Sequence, residues 1–244
     1  MKIQTDSMAA MQNIVSELVE TIAPLRFKAP VTHVYNPLVY ARRNYDAYCR
    51  LSATGPKEVL LLGMNPGPWG MAQTGIPFGD AAMVSEWLGL NGPVDQPTDQ
   101  HPKRPVQGFQ CPRGEVSGRR LWGWARERFG DPGKFFSRFW VGNYCPLVFM
   151  EASGRNRTPD KLPKGEKQRL FAACNRALRR TVELLQPAYV VGVGKFAEER
   201  AKASLGGLNL AIGRITHPSP ANPKANQGWA RLVESELAAM GILI

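Results

Sequence analysis

The sequence predicts an α/β fold of three layers: a central parallel sheet of four strands with helices on both faces. Short, fully apolar runs alternate with amphipathic stretches, the pattern of a parallel sheet that is covered on both sides. At 244 residues, with 43% hydrophobic and 21% charged side chains, the chain can bury a sizeable core and is too apolar for wholesale disorder. No repeat, low-complexity stretch or clear linker divides it, so a single domain over residues 1–244 is expected.

The elements follow in order. Met11, Ile14, Val15, Leu18, Val19 and Ile22 recur at helical spacing behind a cap at Asp6 or Ser7, which predicts a helix over about 7–23 packed on the core. Val59–Gly63 is an apolar strand that runs into the Gly- and Pro-rich loop Asn65–Gly79. Helices are expected at about Ala81–Leu88 and, after the loop Asn91–Pro112, at Gly118–Phe129. Phe139–Asn143 and Tyr189–Val193 are the next strands, separated by a helix over Glu166–Leu185. Lys195–Ala203 is helical, Leu208–Thr216 is the fourth strand, and His217–Gly228 is a third punctuated loop. A last helix near Asn226–Met240 buries Trp229, Leu232, Val233 and Leu237. Asn65 follows the first strand, Asn143 closes the second and His217 follows the fourth, at the carboxyl ends where such sheets collect ligands.

Several classes are excluded. No apolar run approaches the ~18–20 residues of a membrane span. Asp6, Gln12, Asn13 and Glu17 interrupt any secretory h-region in Met1–Ala23. Cys49, Cys111, Cys145 and Cys174 lie far apart without a C-x-x-C pair, which argues against a disulfide framework, a zinc site or an iron–sulfur cluster. A soluble, reduced, intracellular protein is expected, in the cytoplasm or nucleoid of a bacterium or the nucleus of a eukaryote. Gly192, Gly194 and Ala197 form G-x-G-x-x-A between a strand and a helix, but no acidic residue stands about 20 positions on. A tight strand-to-helix turn accounts for these glycines better than a dinucleotide does.

The net charge is +11, and it is concentrated. Residues 101–140 and 151–180 each hold nine basic and three acidic side chains, so 101–180 carries +12 and the rest of the chain −1. That is the footprint of a polyanion binder. The interleaved Trp122, Trp124, Phe129, Phe135, Phe136, Phe139 and Trp140 are expected mostly in the core.

Three segments carry chemistry: GMNPGPWGMAQTGIPFGD (Gly63–Asp80), GNYCPL (Gly142–Leu147) and HPSPANPKANQGW (His217–Trp229). With VYNPLVYARRNYDAYC, HPKRP, SGRN and VVGVGKFAEERA, they resemble the single-strand-selective monofunctional uracil-DNA glycosylases, the third family of their superfamily. The resemblance runs from about Val34 to the C-terminus and implies a four-stranded parallel sheet between helices. The reaction it implies is hydrolysis of the N-glycosidic bond of a flipped-out uracil, leaving an abasic site without strand cleavage. It extends to oxidised C5-substituted uracils such as 5-hydroxymethyluracil.

Site residues carry over by motif. Asn65 matches the residue that positions the hydrolytic water, where first-family enzymes have aspartate; asparagine is no strong base, so positioning must carry more of the barrier. His217 matches the histidine that donates to uracil O2. Asn143 matches the base reader, Phe78 the stacking ring, and Met64, Gly67 and Met71 the wall beside the C5 edge. Ser219 is expected at a DNA phosphate. Ala221, Asn222, Pro223, Lys224, Ala225 and Asn226 match the wedge that enters the duplex, with Ala221 and Lys224 replacing the Arg and Gln of vertebrate members. His33 and His101 are read as structural. The implied partner is single- or double-stranded DNA, with no membrane, no metal, no organic cofactor and a monomeric state. Two other readings compete: a non-catalytic module that senses flipped bases, and a glycosylase shifted towards xanthine or hypoxanthine.

Overall fold

The computed structural model describes residues 2–244; Met1 lies outside them. Ten helices are seen among the described residues: α1 (Lys2–Ile22), α2 (Pro37–Tyr40), α3 (Arg42–Ser52), α4 (Met71–Thr74), α5 (Ala81–Glu86), α6 (Val116–Phe129), α7 (Pro132–Arg138), α8 (Lys164–Leu185), α9 (Lys195–Ser204) and α10 (Trp229–Ala238). The strands are β1 (Val31–Tyr35), β2 (Val59–Gly63), β3 (Phe139–Asn143), β4 (Val148–Glu151), β5 (Asn156–Arg157), β6 (Tyr189–Val193) and β7 (Ala211–Ile215).

The main sheet is parallel, in the order β3–β2–β6–β7. Its central strand β2, VLLLG, is buried at every position, so it could form only between layers. Two glycines show how both faces are covered. A Cβ on Gly192 would lie 2.3 Å from the Glu198 amide of α9. One on Gly213 would meet the sulfur of Met240, just beyond α10. Gly192 is in register with Arg214, the neighbour of Gly213, and side chains alternate along a strand. Thus α9 and the end of α10 lie on opposite faces. The glycines of the G-x-G-x-x-A run are explained by this close packing and by the tight turn at Gly194, whose φ is +93°.

Leu232, expected in the core, is only half-buried, a turn of helix, α4, lies inside the expected loop Asn65–Gly79, and three larger features differ from the sequence expectation. The N-terminal helix starts at Lys2, so Asp6 and Ser7 lie inside it rather than capping it. A second, antiparallel sheet, β1–β4–β5, stands beside the first. The charge-rich helix α3 turns Tyr45, Tyr48, Cys49 and Ser52 inward, and the Tyr48 hydroxyl donates to the Val141 carbonyl of β3 at 2.7 Å. As expected, Trp122, Trp124, Phe135, Phe136 and Phe139 are buried together, most of them edge to face. Among the described residues no helix is long and apolar enough to cross a membrane.

Candidate active site

Parallel register brings the carboxyl ends of β2 and β3 side by side, with Gly63 opposite Asn143. The loops that leave them are tied together, since Tyr144 and Cys145 donate their amides to the carbonyls of Gly63 and Met64, each at 2.9 Å. A cavity of about 350 Å3 opens at this edge, lined by Met64, Asn65, Pro66, Gly67, Met71, Phe78, Glu115, Asn143, Asn156, Thr158, His217 and Ser219. All seven residues expected at the chemistry and the base therefore meet in one place, joined by Ser219. The size suits a small-molecule or single-base site.

Three side chains are held in defined orientations. Asn65 donates its amide nitrogen to the carbonyls of Leu147 (3.0 Å) and Pro66 (3.3 Å), which leaves Oδ1 as the atom free to hold a water. The Ser219 amide donates to His217 Nδ1 at 3.0 Å, so Nδ1 is an acceptor and the proton sits on Nε2. Burial pushes the His217 pKa down to about 4, which keeps the ring of this cavity-lining residue neutral with one N–H donor. Asn143 points its Nδ2 at Met71 Sδ, 3.3 Å away. A Cβ on Gly63 would lie 2.3 Å from Asn143 Oδ1 and 2.7 Å from the Phe78 ring, so the absence of a side chain there keeps the slot between them open.

Phe78 is more than a core residue. Its φ is +53°, the left-handed region that a bulky side chain avoids, and such strain costs roughly 1–3 kcal/mol. The surroundings hold it: the Asp80 amide donates to its carbonyl at 2.8 Å, and Trp122 Nε1 donates to the preceding Pro77 carbonyl at 3.2 Å. The ring is thereby presented to the cavity 6.3 Å from the His217 ring.

The rim differs from expectation in part. Ala221, Pro223, Lys224 and Asn226 are exposed, but Ala225 is buried and anchors its turn instead of facing outward. Asn222 and Asn226 are engaged within the protein: Asn222 accepts from the Lys224 amide, and Asn226 accepts from Arg120 and donates to the Pro220 carbonyl. The Ser219 amide is taken by His217, which leaves its hydroxyl proton for an outside acceptor. Six cations of the 101–180 region face carboxylates among the described residues: Arg119, Arg128, Arg138, Arg157, Arg179 and Arg180. Arg104 and Arg113 instead flank Trp69 on the 64–70 loop, 4.9 and 4.8 Å from its ring. His33 and His101 sit away from the cavity, and His101 is buried against the Glu151 carbonyl.

Four lining residues were not anticipated: Pro66, Glu115, Asn156 and Thr158. Asn156 was visible within SGRN. Glu115 had a fainter signal, as the only acidic residue between His101 and Arg126.

The His217 shift has a consequence for stability. An unfolded histidine titrates near 6.5, so between that pH and 4 the unfolded chain binds more protons than the folded one, and stability is lost as the pH is lowered. The wild type is expected to lose on the order of 1–2 kcal/mol more than His217→Gln on going from pH 7 to pH 5. Urea unfolding of both proteins at each pH checks this, and equal losses would contradict the buried neutral ring.

Comparison with known proteins follows the same direction. Residues 52–235 match the family model of the Uracil DNA glycosylase superfamily. The chain is 47% identical over 224 residues to the single-strand selective monofunctional uracil DNA glycosylase of Mus musculus, covering 91% of this chain and 80% of that protein. It is 46% identical over 226 residues to the protein of the same name from Bos taurus, covering 92% and 83%. The crystal structure of wild-type Pedobacter heparinus SMUG2 superposes with a TM-score of 0.67 at 16% identity, over 93% of this chain and 97% of that one, a likeness of fold.

Proposed function

The chain belongs to the uracil DNA glycosylase superfamily, and from that membership we propose that it is a monofunctional DNA-repair hydrolase. It flips uracil out of DNA and cleaves the N-glycosidic bond, leaving an abasic site. The observation that carries this reading is the pre-set donor of His217 facing the same cavity as the Asn143 amide and the Phe78 ring.

In the reaction, Phe78 stacks on the base, and the Asn143 amide accepts from N3–H and donates to O4. As the glycosidic bond stretches, negative charge grows on O2, where the neutral Nε2–H of His217 meets it. A donor fixed in a buried site before charge develops loses little to reorganisation. Asn65 Oδ1 holds water for attack on the sugar as it gains oxocarbenium character. Ala221, Pro223, Lys224 and Asn226 form the exposed part of the wedge, and the substrate range includes uracils oxidised at C5.

Labelled oligonucleotides bearing uracil, hypoxanthine, xanthine or 5-hydroxymethyluracil, treated with the protein and then alkali, test this. Cleavage at uracil is expected. Cleavage only at a purine, or at none, would overturn it. Affinity for single strands should also fall by about twentyfold between roughly 50 and 200 mM salt if about three phosphates are neutralised. A salt-independent titration would remove the basic surface from the account.

A further inference from the structure

Glu115 stands just before α6, a residue with no part in the chemistry described so far. Its backbone amide donates to Asp80 at 2.7 Å, which fixes where its side chain begins. That side chain reaches the cavity wall behind the loop of Gly67 and Gly70. A Cβ on Gly70 would lie 2.5 Å from Oε2, and one on Gly67 would lie 3.2 Å from Oε1, so the two glycines leave the space that the carboxyl fills. Oε2 is sealed from solvent between Gly70 and Gly118, at the start of α6, which leaves Oε1, beside Gly67, as the carboxyl oxygen of the cavity wall.

The expected pose, resting on the function proposed above, gives Oε1 a task. With O2 at His217 and N3–H and O4 at Asn143, ring geometry puts C5 next to O4, on the side away from His217. Met71, whose sulfur touches Asn143 Nδ2, begins that wall, and the 67–70 loop with Glu115 behind it continues the wall. We propose that Glu115 is a specificity-determining residue, whose carboxyl hydrogen-bonds a polar substituent on C5 of the flipped pyrimidine.

Burial first, and then the neighbouring Asp80 carboxylate, push the Glu115 pKa up to about 7, against a smaller pull from the Gly118 amide. Both protonation states are therefore accessible near neutrality. As the acid it donates to a formyl oxygen; as the carboxylate it accepts from a hydroxyl. The methyl group of thymine satisfies neither form and would cover Oε1 without a partner.

Single-turnover release from single-stranded oligonucleotides bearing uracil, 5-hydroxymethyluracil, 5-formyluracil or thymine tests the assignment, with wild type, Glu115→Gln and Glu115→Ala. The ratio of 5-hydroxymethyluracil to uracil rates should fall about tenfold in Glu115→Ala and stay within about threefold in Glu115→Gln, whose amide still donates and accepts. The ratio of 5-formyluracil to uracil should decline in the wild type from about pH 6 to pH 8, as the acid loses its proton, and stay level in Glu115→Gln. Asp80, Arg119 and His217 are the other titratable or charged groups facing this carboxyl or the cavity, and all persist in Glu115→Gln, so their contributions divide out. Should the two rates fall together in Glu115→Ala, or the pH trend survive in Glu115→Gln, Glu115 merely supports the start of α6 and the assignment fails. It also fails if the wild type releases uracil alone. No release of uracil by the wild type would overturn the parent function instead.

Discussion

His217→Leu is expected to slow single-turnover uracil release by about a hundred- to a thousandfold, the range found for losing one donor aimed at developing negative charge. The effect should exceed that of Asn65→Ala. Both residues face the cavity, but their side chains are differently placed to act. The His217 ring is neutral, its tautomer is set by the Ser219 amide, and its remaining N–H has no other evident task. Asn65 spends its amide nitrogen on Leu147 and Pro66 and offers one oxygen that can orient water but cannot take its proton at useful strength. Loss of orientation is partly replaced by bulk water entering the emptied volume; loss of the donor is not replaced by leucine. Rates at saturating enzyme, with both variants shown to be folded, decide the ranking. A slower Asn65→Ala would mean that water placement, not leaving-group charge, carries the barrier.

The contrast between what the sequence disclosed and what it hid has a physical pattern. The strands β2, β3 and β6 were legible to the residue because each is a continuous apolar run that stops at a loop or a turn, and the fourth strand only needed trimming to Ala211–Ile215. β1 carries Thr32 and His33 between its buried ends, and β5 is two residues long, so neither yields a pattern before its partner β4 is known. α3 was masked by Arg42, Arg43, Asp46 and Arg50, although its inward residues follow helical spacing once they are picked out.

The site divides in the same way. Asn65, Asn143 and His217 announce themselves because each sits in a motif at a strand end. Glu115 does not, since its meaning depends on two glycines far earlier in the chain, Gly67 and Gly70, that leave room for its carboxyl. The wedge shows the limit of carrying a motif over whole: the run from Ala221 to Asn226 was expected to meet DNA, yet Ala225 faces the core and Asn226 is held by Arg120. A short turn of 3-10 helix over Pro223–Gln227 must turn some side chains inward, and the motif does not say which.

In the proposed reaction Asn143 reads the base, and its substitution gives the sharpest expected result. Asn143→Asp should lower uracil release by at least about a hundredfold and confer weak release of cytosine that increases as the pH falls. The amide of Asn143 lies between the Phe78 slot and Met71, with Oδ1 over Gly63 and Nδ2 3.3 Å from the Met71 sulfur. A thioether is a weak acceptor, so Nδ2 gives up little when it turns to uracil O4, and Oδ1 accepts from N3–H. Aspartate keeps this shape but sets a carboxylate oxygen against O4, and a buried pair of acceptors is penalised on both sides. Sites built on buried hydrogen bonds reject such mismatches by large factors. Cytosine reverses the pattern: its N4 amino group donates and its N3 accepts. The protonated carboxyl of the Asn143→Asp variant satisfies both, with its carbonyl oxygen accepting from N4 and its hydroxyl donating to N3, which is why acid should favour the new activity. Release rates for uracil and cytosine from the same single-stranded sequence, measured between about pH 5.5 and 8, give the answer. Uracil release near the wild-type rate would show that Asn143 does not read the base, and the pose on which the pocket is interpreted would have to be abandoned.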